Sequence, residues 1–537
     1  MRPRLIARCL HLLATIAIAR FIQIDAAGAD IRRGELLYSL DMNSPAVRAR
    51  AGRLPAGVAT WDDPAAGVAS SLRITVPEER TRKDNIVAIP VDLKPWRGAR
   101  VLLTCKARAD HVSTPIIDYN GIKCQLHWIS RDKGPRWYNE NRAYGSFDWK
   151  ELSIVATIDD DADLGWLNLG MQSSHGTVWL ADVRITALQG KARRPALSTT
   201  QQTSAATTLR GVMSPTKFDA RDFVDLKELG ANLVRWQLVN RNWGKAGEDQ
   251  DPVAYDHWLD GKLDELEQAL DAARNNGIKV VIDMHSPPGG RLADSTLRMV
   301  FEKKHQDHFI AVWERIVRRF KGHPAIWAYD IINEPVQNRP SPPGVADCIE
   351  VQMLAARAIR KIDPSTILLL TADQWSSPDA FAYLQPVPAD ISNVVYQVHM
   401  YWPGQFSHQG VNNTWGVKGG DSPLAYPGSL GGLPLDKEAL RRHLAPVREF
   451  QLAYGVRIYV GEFGAVRWAP GAACYLDDLI SLFEEYGWDW SYHAFREWPG
   501  WSFEHADLPY SKTDHPRATQ PTDRALVLKK WFSLNHP

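Results

Sequence analysis

The chain has 537 residues, of which 45% are hydrophobic and 23% are charged, and its formal net charge is +1. This is the composition of an ordinary globular protein with room for two to four domains. The near-zero charge gives no electrostatic indication of nucleic acid or an anionic membrane as a partner. Tryptophan is abundant, with 21 residues; most should fill cores, but tryptophan also offers flat faces for stacking on sugar rings.

The first 29 residues have the pattern of a secretory signal. Three arginines precede the apolar residues 9–19, and residues 27–29 are the small residues of a cleavage site. Arg20 and Asp25 interrupt the pattern. The apolar stretch is too short to span a membrane, and no other stretch approaches a span. We therefore expect residues 1–29 to be a signal peptide and the mature protein to be secreted, periplasmic or extracellular.

Residues 34–190 consist of short alternating segments separated by turn residues, without helical patterns between them. This alternating pattern predicts an all-β antiparallel sandwich. The clearest segments are Ser71–Val76, Ala99–Ala107, Leu152–Ile158 and Thr177–Ile185. The block resembles the jelly-roll carbohydrate-binding modules, which implies either a sugar-binding face or a purely structural role. Trp137 and Tyr138, in what we interpret as a polar loop, are the best exposed aromatic candidates.

Four cysteines follow the signal: Cys105, Cys124, Cys348 and Cys474. Their spacing is not that of a metal site, and three pairings are possible. A bridge between Cys105 and Cys124 is one possibility, and unpaired buried thiols are the other.

Residues 191–208 are rich in Ser, Thr, Gln and Ala and predict a linker. From residue 209 to residue 537 strands alternate with helical patterns. One helix has an apolar face at Leu259, Leu263, Leu266, Leu270 and Ala273, and another is predicted over Asp307–Lys321. The eight expected strands begin near Gly211, Asn232, Lys279, Ile326, Ile367, Val394, Arg457 and Trp488. Eightfold alternation predicts an α/β fold, a (β/α)8 TIM barrel. A doubly wound sheet is the alternative, but no Gly-rich phosphate loop opens a helix here.

Two of the predicted strands lead into glutamates. Residues 326–335 end in Asn-Glu-Pro around Glu334, and residues 458–464 contain Glu462. A lone glutamate at a strand end can simply be solvated. Two of them at the carboxyl ends of parallel strands, however, converge on one face of a barrel. Paired carboxyls there can cleave a glycosidic bond, one as acid and the other as attacking carboxylate.

Asn333-Glu334-Pro335 is the signature of the clan A glycoside hydrolases, and the chain from about Gly211 onward resembles glycoside hydrolase family 5, the cellulase family. The strand ends carry further polar residues in the order of that family's active site: Arg235, His285, Asn333, Glu334, His399, Tyr401 and Glu462. Taken singly, each has an ordinary reading, such as a surface ion pair or a core histidine. The ordered set favours an active site.

The resemblance implies a role for each residue. Glu334 would be the general acid/base and Glu462 the nucleophile of a retaining reaction. Arg235 would keep Glu462 ionised, and Tyr401 would orient it. Asn333 would hold the sugar 2-hydroxyl.

His285 and His399 would position the substrate and the acid. The family also places a tryptophan after strand eight as the floor of the −1 subsite, the subsite for the sugar whose bond is cleaved. Residues 488–498 offer several aromatic residues, and we assign this role to Trp498 because it lies beyond the strand. No metal or other cofactor is implied.

The resulting hypothesis is a secreted retaining glycoside hydrolase that cleaves β-glycosidic bonds in a glucan-type polysaccharide or oligosaccharide. The leading hypothesis for its activity is an endo-β-glucanase. An exo-acting β-glycosidase or a β-mannanase is the alternative, and a non-catalytic carbohydrate-binding protein is the alternative from another class. Insertions from residue 286 onward and over residues 403–435, which include Trp415, would wall the cleft. We expect a monomer whose partner is the polysaccharide or oligosaccharide, without nucleic acid or membrane.

Overall fold

The computed structural model divides into two compact units, Met1–Arg193 and Arg194–Pro537. It describes residues 31–62, 70–81, 83–115, 119–140, 143–192, 194–195, 208–240, 249–292, 294–411, 423–507 and 515–535. The expected signal peptide, most of the expected linker and Trp415 lie outside these residues. Within these ranges, no helix has both the length and the apolar character needed to cross a membrane.

The described residues of the first unit form antiparallel strands, one short α-helix and two 3-10 helices. Its elements are β1 (Leu36–Ser39), α1 (Pro45–Ala51), β2 (Ala59–Asp62), β3 (Ser71–Val76), β4 (Asn85–Asp92), β5 (Arg100–Val112), β6 (Gly121–Ser130), β7 (Gly134–Asn139), β8 (Gly145–Thr157), β9 (Leu164–Gln172) and β10 (Gly176–Gln189). One sheet has the order β2-β3-β10-β5-β8 with β1 also paired to β10, and the other has the order β4-β9-β6-β7.

The two sheets share one hydrophobic core, as expected for a sandwich. Val101 and Leu180 of the first sheet belong to the same buried cluster as Leu126 and Leu167 of the second. The burial of β4 alternates along the strand, which is the period-two pattern of a half-buried strand. The prediction of an antiparallel β-sandwich is confirmed.

Local details of this unit differ from the sequence interpretation. Trp137 and Tyr138 belong to strand β7 rather than to a loop, and only Trp137 is exposed. Tyr138 instead stacks on the buried Trp128. All four cysteines after the signal are free thiols, and the Cys124 thiol lies close enough to Cys105 for a hydrogen bond between them to raise its pKa.

The second unit alternates strands and helices. Its strands are β11 (Arg210–Met213), β12 (Leu233–Gln237), β13 (Lys279–Asp283), β14 (Ile326–Asp330), β15 (Ile367–Thr371), β16 (Val394–Met400), β17 (Gly428–Leu430), β18 (Leu433–Leu435), β19 (Ile458–Phe463) and β20 (Asp489–Tyr492). Its helices are α2 (Ala220–Leu229), α3 (Pro252–Asn276), α4 (Lys303–Phe320), α5 (Cys348–Arg360), α6 (Asp373–Ser376), α7 (Gly404–Ser407), α8 (Lys437–Tyr454), α9 (Ala472–Tyr486) and α10 (Asp523–Phe532).

Eight of these strands close a parallel barrel in the order β11-β12-β13-β14-β15-β16-β19-β20, so the (β/α)8 prediction is confirmed. Each strand begins within one residue of its predicted start. The predicted apolar face of α3 is buried along its whole length. Helix α4 begins at Lys303, four residues before the predicted start. The strands β17 and β18 form a separate hairpin in the segment after β16.

The barrel interior changes from apolar to polar along the strand direction. Near the strand starts, an apolar cluster is formed by Leu209, Leu233, Val281, Ala328, Leu369, Val395 and Tyr459. Two residues further along four of these strands, the buried positions are Arg235, Asp283, Asp330 and Gln397. Because side chains repeat every second residue in a strand, the same face of each strand supplies both layers. The fold therefore carries buried charges toward the carboxyl ends of the strands.

Candidate active site

Arg235 is the centre of the polar layer. It lies on β12 and is fully buried. Its guanidinium forms ion pairs with Asp283 at 3.0 Å, with Asp330 at 2.8 Å and with Glu462 at 2.7 Å. It also donates a hydrogen bond to Asn333 Oδ1 at 3.0 Å. One cation thus links the ends of three other strands, β13, β14 and β19.

Glu462 lies on β19, is almost completely buried and accepts hydrogen bonds on both carboxylate oxygens. Arg235 contacts Oε1, and the Tyr401 hydroxyl donates to Oε2 at 2.9 Å. Burial alone would disfavour the charged form, but His399, His493 and Arg235 outweigh it and hold the pKa of Glu462 well below its ordinary value. Glu462 is therefore an ionised carboxylate at neutral pH.

Glu334 follows β14 and is placed by an unusual backbone conformation. Its φ is +44°, in the left-handed region that costs energy for a residue with a side chain. Its carbonyl oxygen accepts a hydrogen bond from Arg291 Nη2 at 2.9 Å, and its Oε1 lies 2.9 Å from His399 Nδ1. The Glu334 side chain is 20% exposed, against 5% for Glu462. Of the two carboxyls, Glu334 is thus the more accessible to solvent.

His399 connects the two glutamates. It lies on β16 opposite Glu462 of β19 in the strand register, and its Nδ1 is 2.9 Å from Glu334 and 3.8 Å from Glu462. The side chain reaches across Gly461, where a Cβ atom would lie 2.9 Å from His399 Nε2 and 2.7 Å from Gln397. A larger residue at position 461 would therefore displace the histidine.

The ligand atoms of Glu334, His399 and Glu462 lie within 4.8 Å of one another, close enough together to hold a cation. All three groups already have hydrogen-bonding or charged partners within the network, and we do not assign them as metal ligands. Within this group, an oxygen of the Glu334 carboxyl therefore lies within 4.8 Å of an oxygen of the Glu462 carboxyl.

His285 and Asn333 complete the cluster on its other side. His285 Nδ1 lies 2.8 Å from Asp283, and its Nε2 lies 3.4 Å from the Asn333 amide nitrogen. Burial lowers the pKa of His285, but the Asp283 carboxylate more than compensates and raises it above the ordinary value. The structure thus brings seven of the eight predicted site residues into one connected network: Arg235, His285, Asn333, Glu334, His399, Tyr401 and Glu462.

The eighth predicted residue, Trp498, lies one ring away from this network. Its ring contacts Trp468 and Trp501, at centroid distances of 6.1 and 5.0 Å. Trp501 instead stacks on Tyr401 at 5.7 Å and lies 4.6 Å from His493. The reason is a turn in which the Trp501 N–H bonds the Trp498 carbonyl. This turn places the second tryptophan, which the sequence interpretation did not consider, against Tyr401.

Several residues of the network were not predicted. Asp283 and Asp330 are the acidic partners of Arg235. Each is the last residue of a strand that the sequence predicts, β13 and β14, and this position at the carboxyl end of a strand is the signal that could have identified them as site residues. His493 and Glu497 lie in the aromatic-rich segment after β20, for which the family resemblance implies only a tryptophan. His493 Nδ1 is 2.5 Å from the Tyr401 hydroxyl, and its Nε2 is 2.5 Å from Glu497.

Comparison with known proteins identifies similar chains. A family model described as cellulase (glycosyl hydrolase family 5) matches residues 198–497, more than half of the chain. Endoglucanase C of Acetivibrio thermocellus is 28% identical over 255 residues, covering 43% of this chain and 72% of that protein. Cellodextrinase A of Ruminococcus flavefaciens is 26% identical over 255 residues, covering 46% and 68%. A solved structure of Thermotoga maritima Cel5A in complex with cellobiose aligns over 60% of this chain and 97% of that one, with 22% identity and a TM-score of 0.45.

Proposed function

Because the chain belongs to the cellulase family, glycosyl hydrolase family 5, and is therefore a glycosidase, we propose that it cleaves β-glycosidic bonds in a glucan-type substrate with retention of configuration. The observation that carries this proposal is the approach of the Glu334 and Glu462 carboxyls, with an oxygen of each within 4.8 Å of the other. Retaining enzymes hold their carboxyls about 5–5.5 Å apart, whereas inverting enzymes leave about 6.5–9.5 Å for a water molecule.

The two glutamates divide the chemistry by their surroundings. Glu462, buried and held ionised by its cationic neighbours, attacks the anomeric carbon, and the bond to the leaving sugar breaks. Glu334, more exposed and bonded to His399, gives its proton to the departing oxygen. The product is a glycosyl ester of Glu462.

The second half of the reaction reverses these roles. Glu334, now a carboxylate, takes a proton from water as the water oxygen attacks the anomeric carbon. The ester bond breaks and Glu462 leaves as a carboxylate, which Arg235 and Tyr401 stabilise by the hydrogen bonds that they already form. Two inversions give net retention.

The remaining network residues bind and orient the sugar. Asn333 and His285 lie side by side on one flank of the glutamates, and we assign the sugar 2-hydroxyl to Asn333. His399 positions Glu334. We also propose that Trp501, which stacks on Tyr401, replaces Trp498 as the aromatic wall next to the reacting sugar.

Replacing Glu462 with Gln tests the assignment. We expect hydrolysis to fall by roughly five orders of magnitude or more, since the nucleophile is lost, with an unchanged circular dichroism spectrum. A 2-deoxy-2-fluoro β-cellobioside with an activated leaving group should label Glu462 in the wild type, as read by peptide mass spectrometry. Turnover at the wild-type rate by the Gln variant would refute the assignment and favour a binding role for these residues.

We propose endo-cleavage of a β-glucan as the activity, supported by the names of the similar Endoglucanase C and Cellodextrinase A. An exo-glycosidase or a β-mannanase would give products different from those of an endo-β-glucanase. Wild-type enzyme should lower the viscosity of a soluble β-1,4-glucan quickly, before much reducing sugar appears. Release of mono- or disaccharide without a fall in viscosity would establish exo-action, and preference for a mannan would establish a mannanase.

We further propose that the β-sandwich, residues 34–190, is a separate domain that binds polysaccharide. Trp137 supports this: the residue is 57% exposed, and its ring lies flat against that of His127, with centroids 3.4 Å apart and planes 4° apart. In an affinity gel with β-glucan, Trp137→Ala in the Glu462→Gln background should be retarded less than the Glu462→Gln enzyme, whose barrel binds glucan equally. Tyr144→Ala, which removes another exposed ring of this unit, is the matched control. Equal retardation of both variants would favour a structural role.

Export and a monomeric state also belong to the proposal. Export is supported by the signal-like residues 1–29. The monomeric state is proposed because the glycan is the one partner that we expect. Cell fractionation with N-terminal sequencing tests the first, and sedimentation equilibrium tests the second. A retained N-terminus in the cytosol, or a stable dimer, would contradict them.

A further inference from the structure

His493 has a polar partner on each ring nitrogen. It follows strand β20 and is buried beside Trp501. Its Nε2 lies 2.5 Å from a carboxylate oxygen of Glu497. Its Nδ1 faces the Tyr401 hydroxyl at 2.5 Å and the Glu462 carboxylate at 3.4 Å.

We propose that His493, held by Glu497, is a positioning residue for Glu462: as an imidazolium it directs the Tyr401 hydroxyl proton toward the Glu462 carboxylate. This inference rests on the proposed role of Glu462 as nucleophile. His493 acts through Tyr401 and through its charge, and it takes no part in making or breaking the glycosidic bond.

The count of protons along the chain of contacts leads to this assignment. Tyr401 has a single hydroxyl proton and two acceptors within reach, Glu462 Oε2 at 2.9 Å and His493 Nδ1 at 2.5 Å. A neutral His493 that donates its one N–H to Glu497 would offer a bare Nδ1, which would compete for the tyrosine proton. An imidazolium donates from both nitrogens. Tyr401 then accepts a hydrogen bond from His493 Nδ1–H and donates its own hydroxyl hydrogen bond to Glu462.

The charges around His493 favour the imidazolium. Burial lowers its pKa, but the carboxylates of Glu497 and Glu462 outweigh burial and raise the pKa to about 10. The pKa of Tyr401 is raised well above its ordinary value by burial and by nearby glutamates, so Tyr401 keeps its proton. His408 also faces this group, and burial lowers its pKa to about 4, so it adds no positive charge at neutral pH.

The consequence for catalysis is a second cation beside the nucleophile. Arg235 holds Oε1 of Glu462 but is shared with Asp283 and Asp330. Oε2 instead accepts a hydrogen bond from Tyr401 and faces His493 Nδ1 at 3.4 Å, with His399 Nδ1 further away at 3.8 Å. Removing the imidazolium should therefore raise the pKa of Glu462 and shift the acidic limb of activity upward, because a nearby opposite charge lowers a carboxyl pKa by roughly 1–3 units.

The test uses the full-length enzyme and 2,4-dinitrophenyl β-cellobioside, whose leaving group needs no proton from Glu334. With this substrate the acidic limb of kcat/KM reports the ionisation of Glu462. For His493→Gln we expect that limb to move up by about one pH unit, and kcat/KM at neutral pH to fall roughly tenfold. For Glu497→Gln we expect an alkaline loss of activity at a lower pH than in the wild type, because the imidazolium then gives up its proton sooner.

Asp256→Asn is the matched control, since it disrupts a histidine–carboxylate pair outside this network, with His308 at 2.9 Å. Its pH profile should match that of the wild type. Variants that lose activity uniformly, with both limbs in place and the fold intact by circular dichroism, would overturn the proposal and leave His493 a structural residue.

A second measurement does not depend on turnover. Histidine-selective 15N labelling, with the His493 signals assigned by their loss in His493→Gln, should show both ring nitrogens protonated at pH 7. A neutral ring at that pH would overturn the inference whatever the enzyme cleaves. Failure of the proposed function is distinct from this outcome: it would appear as equal rates for wild type and Glu462→Gln.

Discussion

Replacing Arg235 with Met removes the one guanidinium that faces Asp283, Asp330 and Glu462. The methionine fills much of the space of the arginine stem but supplies no charge and no donor. Since the Arg235 side chain is fully buried, water cannot replace the lost hydrogen bonds without opening the barrel. Three carboxyls then share a buried site without their common cation.

The expected cost follows from that burial. Breaking one buried ion pair by removing a partner destabilises a protein by about 3–5 kcal/mol. The free energy of unfolding of a folded protein is only about 5–15 kcal/mol. We therefore expect Arg235→Met to lower the free energy of unfolding of the barrel by at least 3 kcal/mol at pH 7.

The loss of unfolding free energy in Arg235→Met should become smaller as the pH falls. Burial raises the pKa of Asp330 to about 6 even though Arg235 lowers it. Without Arg235 this pKa rises further. A carboxyl whose pKa is higher in the folded state takes up a proton on folding, so acid favours the folded variant. The deficit of Arg235→Met relative to the wild type should thus shrink between pH 7 and pH 5.

Arg496→Met is the matched control for this experiment. Arg496 also forms ion pairs with three carboxylates, those of Asp222, Asp225 and Glu504, but its side chain is 21% exposed. Solvent screening should limit its loss to about 1 kcal/mol. Differential scanning calorimetry, with the barrel transition followed at both pH values, measures the two deficits. Equal deficits for the two variants at pH 7, or a deficit of Arg235→Met that grows on acidification, would refute the reasoning.

Two further predictions concern single residues. Burial opposes ionisation of Asp363, but hydrogen bonds from Thr366, Ser365 and Tyr329 lower its pKa to about 2; Asp363→Ala should therefore cost about 1–3 kcal/mol at pH 7. That deficit should shrink as the pH falls below 4 toward 2, and a pH-independent deficit in urea unfolding would contradict this. Trp375 is 46% exposed, and Arg291, which also bonds the Glu334 carbonyl, lies 4.8 Å from its ring. Trp375→Ala should raise KM roughly tenfold for long oligosaccharides and leave aryl cellobioside kinetics unchanged; equal effects on both substrates would exclude a stacking role.

The barrel could be predicted from the sequence because its signals are local. Helix α3 shows its apolar face at Leu259, Leu263 and Leu266, and it is capped at its C-terminus by Gly277, whose φ is +73°. Each parallel strand is a short apolar run, since both faces of such a strand are covered. The positions of Glu334 and Glu462 follow from the same logic, because the carboxyl ends of the strands share one face of a barrel.

The segment after β20 could not be predicted in the same way. Residues 488–498 contain five aromatic side chains and a histidine, and no periodicity distinguishes those that face the core from those that face the site. Trp488 and Trp490 are core residues, while His493 reaches Tyr401. The position of Trp501 depends on a turn closed by a backbone hydrogen bond to Trp498. Contacts of this kind between loops have no signature in spacing.

The charge balance of the cluster explains why a second cation belongs beside the nucleophile. Asp283, Asp330 and Glu462 face a single guanidinium, so full ionisation of all three would leave negative charge buried in the barrel, at a cost that proteins avoid by binding protons or cations. The pKa of Asp330 is raised to about 6 by burial, and Asp283 raises the pKa of His285 against the effect of burial. At Glu462 proton uptake would abolish nucleophilicity, and His493 supplies positive charge there without protonating the carboxylate.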